Sequence, residues 1–252
     1  MKVFFIDKYS ALSFFLIGAV CLILFTNTNV AYSVYSSFGK ELPIYSVETE
    51  EKAVSITFDT AWGNEDIGKI ISVLEEADCK ATFFITGQWA DKFPEDVKKL
   101  HMAGHEVANH SDDHAHFNSL SIQEMTDNIA ACDKKIKDIT GQSEVLFRAP
   151  YGEYNKTLLS ACKETGRYVI QWSIDSLDYK GLSTAEMENR ILPKLKNGDI
   201  ILFHTGTENT YKSLPQILNK IKEKGYTFKK AGELIYKDNF EIDHTGMQKK
   251  LQ

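Results

Sequence analysis

The chain has 252 residues, 43% hydrophobic and 25% charged, an ordinary composition that supplies a full buried core and excludes the disordered and collagen-like classes. Its formal net charge is -6 and it carries no clustered Lys and Arg, which excludes a nucleic-acid partner held by bulk electrostatics.

At the N-terminus, Lys2 and Lys8 precede the apolar run ALSFFLIGAVCLILF, residues 11–25, and polar TNTNVAYSVYSS follows. The run suits a signal-peptide core. Extended through Val30, Ala31 and Tyr32 it also reaches the length of about 20 residues that a bilayer requires. Ala31 supplies only part of the small-residue pattern expected of a cut after Ser33, so an uncleaved anchor is the preferred reading. Either way the lysines stay cytoplasmic and the rest of the chain is exported, anchored or secreted. Residues 1–32 are thus a signal peptide or membrane anchor, and residues 33–52 read as a polar linker.

From Ala53 onward, short apolar runs alternate with helical patterns. Strands are expected at AVSITF (53–58), ATFFIT (81–86), HEVAN (105–109), EVLFR (144–148), YVIQWS (168–173), DIILFH (199–204) and YTFKK (226–230). Helical spacing is kept by Ile67, Ile70, Ile71 and Leu74, by Ile122, Met125, Ile129, Cys132, Ile136 and Ile139, and by Leu214, Ile217, Leu218 and Ile221. Gly104, Gly141, Gly166, Gly198 and Gly225 are placed to close helices. The alternation predicts an α/β fold with a parallel sheet over residues 53–236, and residues 237–252 read as a polar C-terminal tail. A G-x-G-x-x-G turn after the first strand would favour an open dinucleotide-binding sheet. Its absence favours a β/α barrel of about seven strands. Cys21 lies in the apolar run, which leaves Cys79, Cys132 and Cys162 without a CxxC pair; they read as small buried hydrophobes on helices.

In such folds function collects at the carboxyl ends of the strands. There the chain places Asp59, His110 and His114 in NHSDDH, Arg148 in RAPY, Asp175 and Asp178 in SIDSLD, and His204 in LFH. Each has an ordinary explanation alone: a turn-forming Asp, a surface Arg, a satisfied core His. Two histidines at i, i+4 suit a zinc-type ion if the chain turns helical after the strand. Their convergence on one rim brings a base, an acid, a cation and metal ligands together.

These residues carry a resemblance to the polysaccharide deacetylase family, the NodB-homology domain of carbohydrate esterase family four. Five motifs stand in the family's order: TFD (57–59), HSDDH (110–114), RAPY (148–151), DSLDY (175–179) and LFH (202–204). The stretches CKATFFITG and GHEVANH are also similar to it. The resemblance covers about residues 53–236 and implies a distorted β/α barrel that removes acetyl groups from N-acetylated sugars with a divalent metal, zinc first, cobalt or nickel otherwise. Asp59 would be the catalytic base, Arg148 its partner, and His110 and His114 the metal ligands. The Tyr151 N–H would hold the oxyanion, and His204 would be the acid oriented by Asp178. Leu202 and Tyr179 would line the acetyl pocket, Trp62 would touch substrate, and Asp175 and Thr60 would support the site. The implied partner is an N-acetylated cell-wall glycan. The leader and TFDTAWG are similar to a PdaB-type sporulation subgroup of peptidoglycan deacetylase homologues.

One position departs from the pattern. The family carries a second aspartate, the third protein ligand to the metal, where this chain has Thr60. Three readings stay open: a working enzyme with a rearranged site that borrows Asp112 or Asp113, a weak enzyme that needs high metal, or an impaired homologue that binds wall glycan. An amidohydrolase of small amides would use the same chemistry, but the leader argues against it. A glycoside hydrolase would need paired carboxylates that these strand ends do not offer.

Overall fold

The computed structural model describes residues 41–143 and 145–251. The leader expected over residues 1–32, and the linker as far as residue 40, lie outside the described residues.

The central strand forms where β-branched and aromatic residues run together. Strand β2, which follows the short β1 (Ser46–Val47), spans Ala53–Thr60, and every residue but Asp59 is buried. Burial on both faces is the mark of a strand inside a parallel sheet. The chain then runs through α1 (Ile67–Glu76), β3 (Thr82–Ile85), α2 (Gly87–Lys92), α3 (Pro94–Met102), β4 (Glu106–Asn109) and α4 (Ile122–Thr140). Helix α4 begins at a reciprocal cap between Ser121 and Glu124 and ends at Gly141, whose φ is 75°. Next come β5 (Leu146–Phe147), α5 (Lys156–Glu164), β6 (Tyr168–Val169), β7 (Ile174–Asp175), α6 (Thr184–Ile191), β8 (Ile200–His204), α7 (Thr210–Glu223), β9 (Thr227–Phe228) and α8 (Ala231–Leu234).

The main sheet has the order β6-β5-β4-β3-β2-β8-β7, with β9 also beside β2. Every pairing within it is parallel. This is the expected α/β fold as a curled half-barrel of seven strands rather than a closed ring. Stacking of Phe58 on Phe83, with centroids 4.7 Å apart, and of Phe58 against Phe203 ties the three central strands together.

Four expectations are corrected. The strand expected over 168–173 is cut short at Val169 as β6, and β7 (Ile174–Asp175), on the opposite edge of the sheet, begins only beyond it, because the chain must leave one edge and rejoin the other. Residues 44–47 stitch this gap: Ile44 N donates to Val169 O, Gln171 N donates to Ile44 O, and Val47 N donates to Gly198 O. Second, the described part of the polar linker and the polar tail both carry strands. Strand β1 pairs with β11 (Met247–Lys250), which pairs with β10 (Phe240–Ile242). The polar look of the tail hid Gln248, which is buried with both ends of its amide bound to the Tyr236 backbone at 2.8 Å. Third, Cys132 and Cys162 are buried on helices, but Cys79 is buried in the turn before β3; Ile122, expected on the apolar stripe, is 51% exposed.

Fourth, Gly198 does not close a helix, since α6 ends at Ile191. Its φ is +77°, and a Cβ there would lie 1.7 Å from the Val47 carbonyl oxygen. Close backbone approach, not helix capping, requires the glycine. Gly198→Ala is therefore expected to destabilise by about 2–3 kcal/mol. Gly68→Ala, on an exposed helical position with nothing within 4 Å, should stabilise slightly. Thermal melting of both variants checks the contrast.

Candidate active site

Register brings the site together. In the β2–β8 pair Asp59 stands opposite His204, and the chain continues the ladder beyond the strands: Thr205 N donates to Asp59 O, His110 N to Ile85 O, and Arg148 N to Asn109 O. The carboxyl ends of β2, β4, β5 and β8 thus deliver Asp59, His110, Arg148 and His204 to one cleft. That cleft encloses about 380 Å³ and is lined by Asp59, Trp62, His114, Tyr151, Gly152, Trp172, Asp175, Tyr179, Leu202 and His204.

Arg148 is the largest fully buried side chain among the described residues. Its guanidinium donates to Asp59 Oδ1 at 2.8 Å, Thr57 Oγ1 at 3.0 Å, Gln171 O at 3.1 Å and Ile170 O at 3.3 Å. The Phe84 ring lies 4.0 Å below it. Such a set of acceptors is what makes a buried cation tolerable. Burial opposes ionisation of Asp59, but the charge and hydrogen bond of Arg148 and the charge of His204 outweigh it, and the carboxyl titrates below the ordinary range.

His110 Nδ1 lies 2.8 Å from Arg148 O, and since a carbonyl only accepts, Nδ1 carries the proton. Burial lowers the His110 pKa, so the ring is neutral and its Nε2 lone pair faces Asp59 Oδ2 at 3.5 Å. Two acceptors face each other there, an arrangement relieved by a cation between them. His114 is neutral too, its pKa lowered to about 4 by burial and then by His110. His114 Nδ1 and Thr60 Oγ1 are both buried without a hydrogen-bond partner. These donors fit a zinc-type ion held by two imidazoles. Among the described residues no three His, Cys, Asp or Glu side chains form a complete set of ligands. The two aspartates expected to stand in for the missing one are occupied elsewhere: Asp112 pairs with Lys135 at 2.7 Å, and Asp113 accepts from Asn128 Nδ2 and Ala115 N.

On the opposite wall, His204 Nδ1 donates to Asp178 Oδ1 at 2.8 Å, while Asp178 Oδ2 accepts from His204 N at 2.7 Å and Thr210 Oγ1 at 2.6 Å. Burial opposes protonation of His204, but the hydrogen bond and charge of Asp178 prevail and raise its pKa. Tyr179 meets the His204 ring edge-on at 5.1 Å, Leu202 lies beneath the cleft, and Asp175 accepts from Leu177 N.

Backbone strain gathers here. Of six non-glycine residues with positive φ among the described residues, Ser111, His114, Tyr151 and Leu177 lie in the loops that carry these groups. The sequence reading placed every expected residue in or beside the cleft but missed Thr57, Trp172, Gln171, Thr210 and His116. Only Trp172 carried a signal, as an aromatic at a strand end.

With this geometry in hand, the fold and site define a parallel half-barrel with an Asp–Arg pair and a His–Asp pair at the carboxyl ends of its strands. Residues 46–170 match the polysaccharide deacetylase family. A mutant of a family 4 carbohydrate esterase pseudoenzyme, with restored enzymatic activity, shares 30% identity, with a TM-score of 0.74 over 83% of this chain and 73% of that one. The unmutated pseudoenzyme is from Bacillus anthracis. The peptidoglycan-N-acetylglucosamine deacetylase of Bacillus cereus is 29% identical over 79% of this chain and 74% of its own. The uncharacterized protein YlxY of Bacillus subtilis is 30% identical over 82% of this chain, which spans 65% of its length. The chain belongs to the polysaccharide deacetylase family, a family of hydrolases of N-acetyl amide bonds that also includes a pseudoenzyme.

The raised pKa makes a prediction with a definite sign. The His204–Asp178 pair stabilises the fold fully below pH ~6.5, the unfolded imidazole value, and that contribution fades as pH climbs through the higher folded pKa of His204. Asp178→Asn removes the main influence opposing burial while the charges of Asp59 and Asp175 remain, so the His204 pKa should fall from its raised value. An NMR titration of the ring checks this.

Proposed function

We propose that the protein deacetylates N-acetylated amino sugars of peptidoglycan. The observation that carries the reading is the pairing, across adjacent strands, of Asp59, whose pKa Arg148 holds low, with His204, whose pKa Asp178 raises. Asp59, held by Arg148, takes the proton of an attacking water. Tyr151 offers its backbone N–H to the tetrahedral oxyanion. His204, oriented and charged by Asp178, gives its proton to the departing amine, which leaves poorly unless protonated. Leu202 and Tyr179 line the space for the acetyl methyl. A divalent ion at His110 and His114, zinc first, would polarise the carbonyl and acidify the water. The substrate class is supported by the peptidoglycan-deacetylating relative from Bacillus cereus. The N-terminal apolar segment supports export to the wall, and TFDTAWG supports a role in sporulation.

A second reading, a binding homologue with impaired chemistry, is favoured by Thr60 and by the pseudoenzyme among the structural relatives. Acetate release from peptidoglycan fragments by the full chain with zinc separates the two. Release absent from Asp59→Asn supports the enzyme; none from the unmodified protein supports the binding homologue.

Asp59→Asn is expected to abolish turnover and to lower the melting temperature, since Arg148 loses its counter-ion. Thr60→Asp is expected to tighten zinc binding at least about tenfold, a gain of roughly 1.4 kcal/mol, measured by competition with a chelator. An unchanged affinity would mean that position 60 does not face the ion.

A further inference from the structure

Gln171 lies between β6 and β7 and is only 2% exposed, yet no step of the proposed chemistry uses its side chain. A buried amide has to find partners. The main chain of Gln171 serves the seam and the base: its N–H donates to Ile44 O at 2.7 Å, and its carbonyl accepts from Arg148 Nη2 at 3.1 Å. The side chain serves something else. Its Nε2 donates to Gly152 O at 3.2 Å.

The turn that receives this bond is strained. Tyr151 sits at φ 60° and ψ 7°, in the left-handed region that disfavours a residue with a Cβ, and Gly152 follows at φ +67°. Two bonds at the long end of the usual range close the turn locally, Gly152 N to Ala149 O at 3.2 Å and Glu153 N to Pro150 O at 3.1 Å. The firmer support comes from outside. The Tyr151 ring stacks on His116 at 4.1 Å with planes 7° apart, and Glu153 accepts from His116 Nδ1 at 2.9 Å. On the other side Gln171 and Trp172 press against Gly152, where a Cβ would lie 2.9 Å from Trp172 Cη2 and 3.4 Å from Gln171 Oε1.

What this conformation gains is a donor. Tyr151 lines the cleft, and its backbone N–H meets no acceptor among the described residues. An unanswered N–H at the wall of a cleft, fixed by a strained turn, is what a developing oxyanion requires.

We propose that Gln171 is the positioning residue of the oxyanion donor: its amide clamps the Tyr151–Gly152 turn and keeps the Tyr151 N–H aimed into the cleft. This role rests on the deacetylase reading above. Since the backbone carbonyl of the same residue holds Arg148, the base and the oxyanion donor share one support. Substitution separates the two duties, because it removes the amide and leaves the carbonyl. An oxyanion exists in the transition state and not in the bound substrate, so a misaimed N–H lowers kcat and leaves KM nearly unchanged.

The test uses the full chain with Gln171→Met, which keeps the length of the side chain without its amide, and Gln171→Asn, which is one methylene short of Gly152 O. In acetate release from peptidoglycan fragments with zinc, both should lower kcat at least about tenfold and change KM less than about threefold. Ile217→Val, a core substitution on α7, should lower the melting temperature without that loss of kcat. Backbone NMR resonances of Tyr151 and Gly152 report φ directly; they should move in both Gln171 variants and stay in place in Ile217→Val. Unmoved resonances in the Gln171 variants overturn the clamp, whatever the activity. Moved resonances with an unchanged kcat overturn its link to the oxyanion. No release by the unmodified protein overturns the deacetylase reading and the oxyanion role with it, and the resonances then still decide whether Gln171 holds the turn.

Discussion

A guanidinium taken wholly out of water has to be answered by anions and carbonyls, and the arrangement around Arg148 follows from that demand. Its head draws on β2 through Thr57 and Asp59 and on the segment after β6 through Ile170 and Gln171. Its backbone carbonyl fixes the His110 tautomer. A single buried cation therefore sets the charge of the carboxylate, the lone-pair direction of the neighbouring imidazole and the closure of the sheet near its seam. Replacing it with Lys would keep the charge and lose the fork that reaches all four acceptors.

Thr60 changes the balance of that centre without disturbing its frame. The hydroxyl is buried and has no partner, so position 60 keeps its place in β2 while offering no anion. Two neutral imidazoles and a carboxylate committed to Arg148 remain. A pseudoenzyme and its mutant with restored activity on the same fold show that, in this family, fold and chemistry can part company. In this chain Asp59 and His204 keep their charged partners, while position 60 supplies no anion.

Much of this was readable in the sequence, for a physical reason. Residues buried in a parallel sheet must be apolar, so a charged residue at the end of such a run stands out, as Asp59, Arg148 and His204 did. Periodicity located α1, α4 and α7 because each buries one face. What escaped was held by polar or very short contacts. The two-residue β7 and the three-residue β10 are too short to show a pattern, and β11, Met-Gln-Lys-Lys, is largely polar. The second ring of the site was equally silent: Thr57 and Thr210 are ordinary residues whose partners lie far off in sequence. Thr60 was legible only as a departure from a motif.

The pairing of β1 with β11 joins the first described strand to the last. Contacts so far apart in sequence demand the closing of a very long loop before they return any stability, and they slow folding. Residues 44–47, which stitch the seam beside Ile170 and Gly198, are themselves held in place by that last strand. The seam between the two edges of the sheet is therefore not complete until Met247–Lys250 have paired. Until β11 pairs with β1, the Arg148 acceptors at Ile170 and Gln171 lack the strand that fixes their neighbour Ile44.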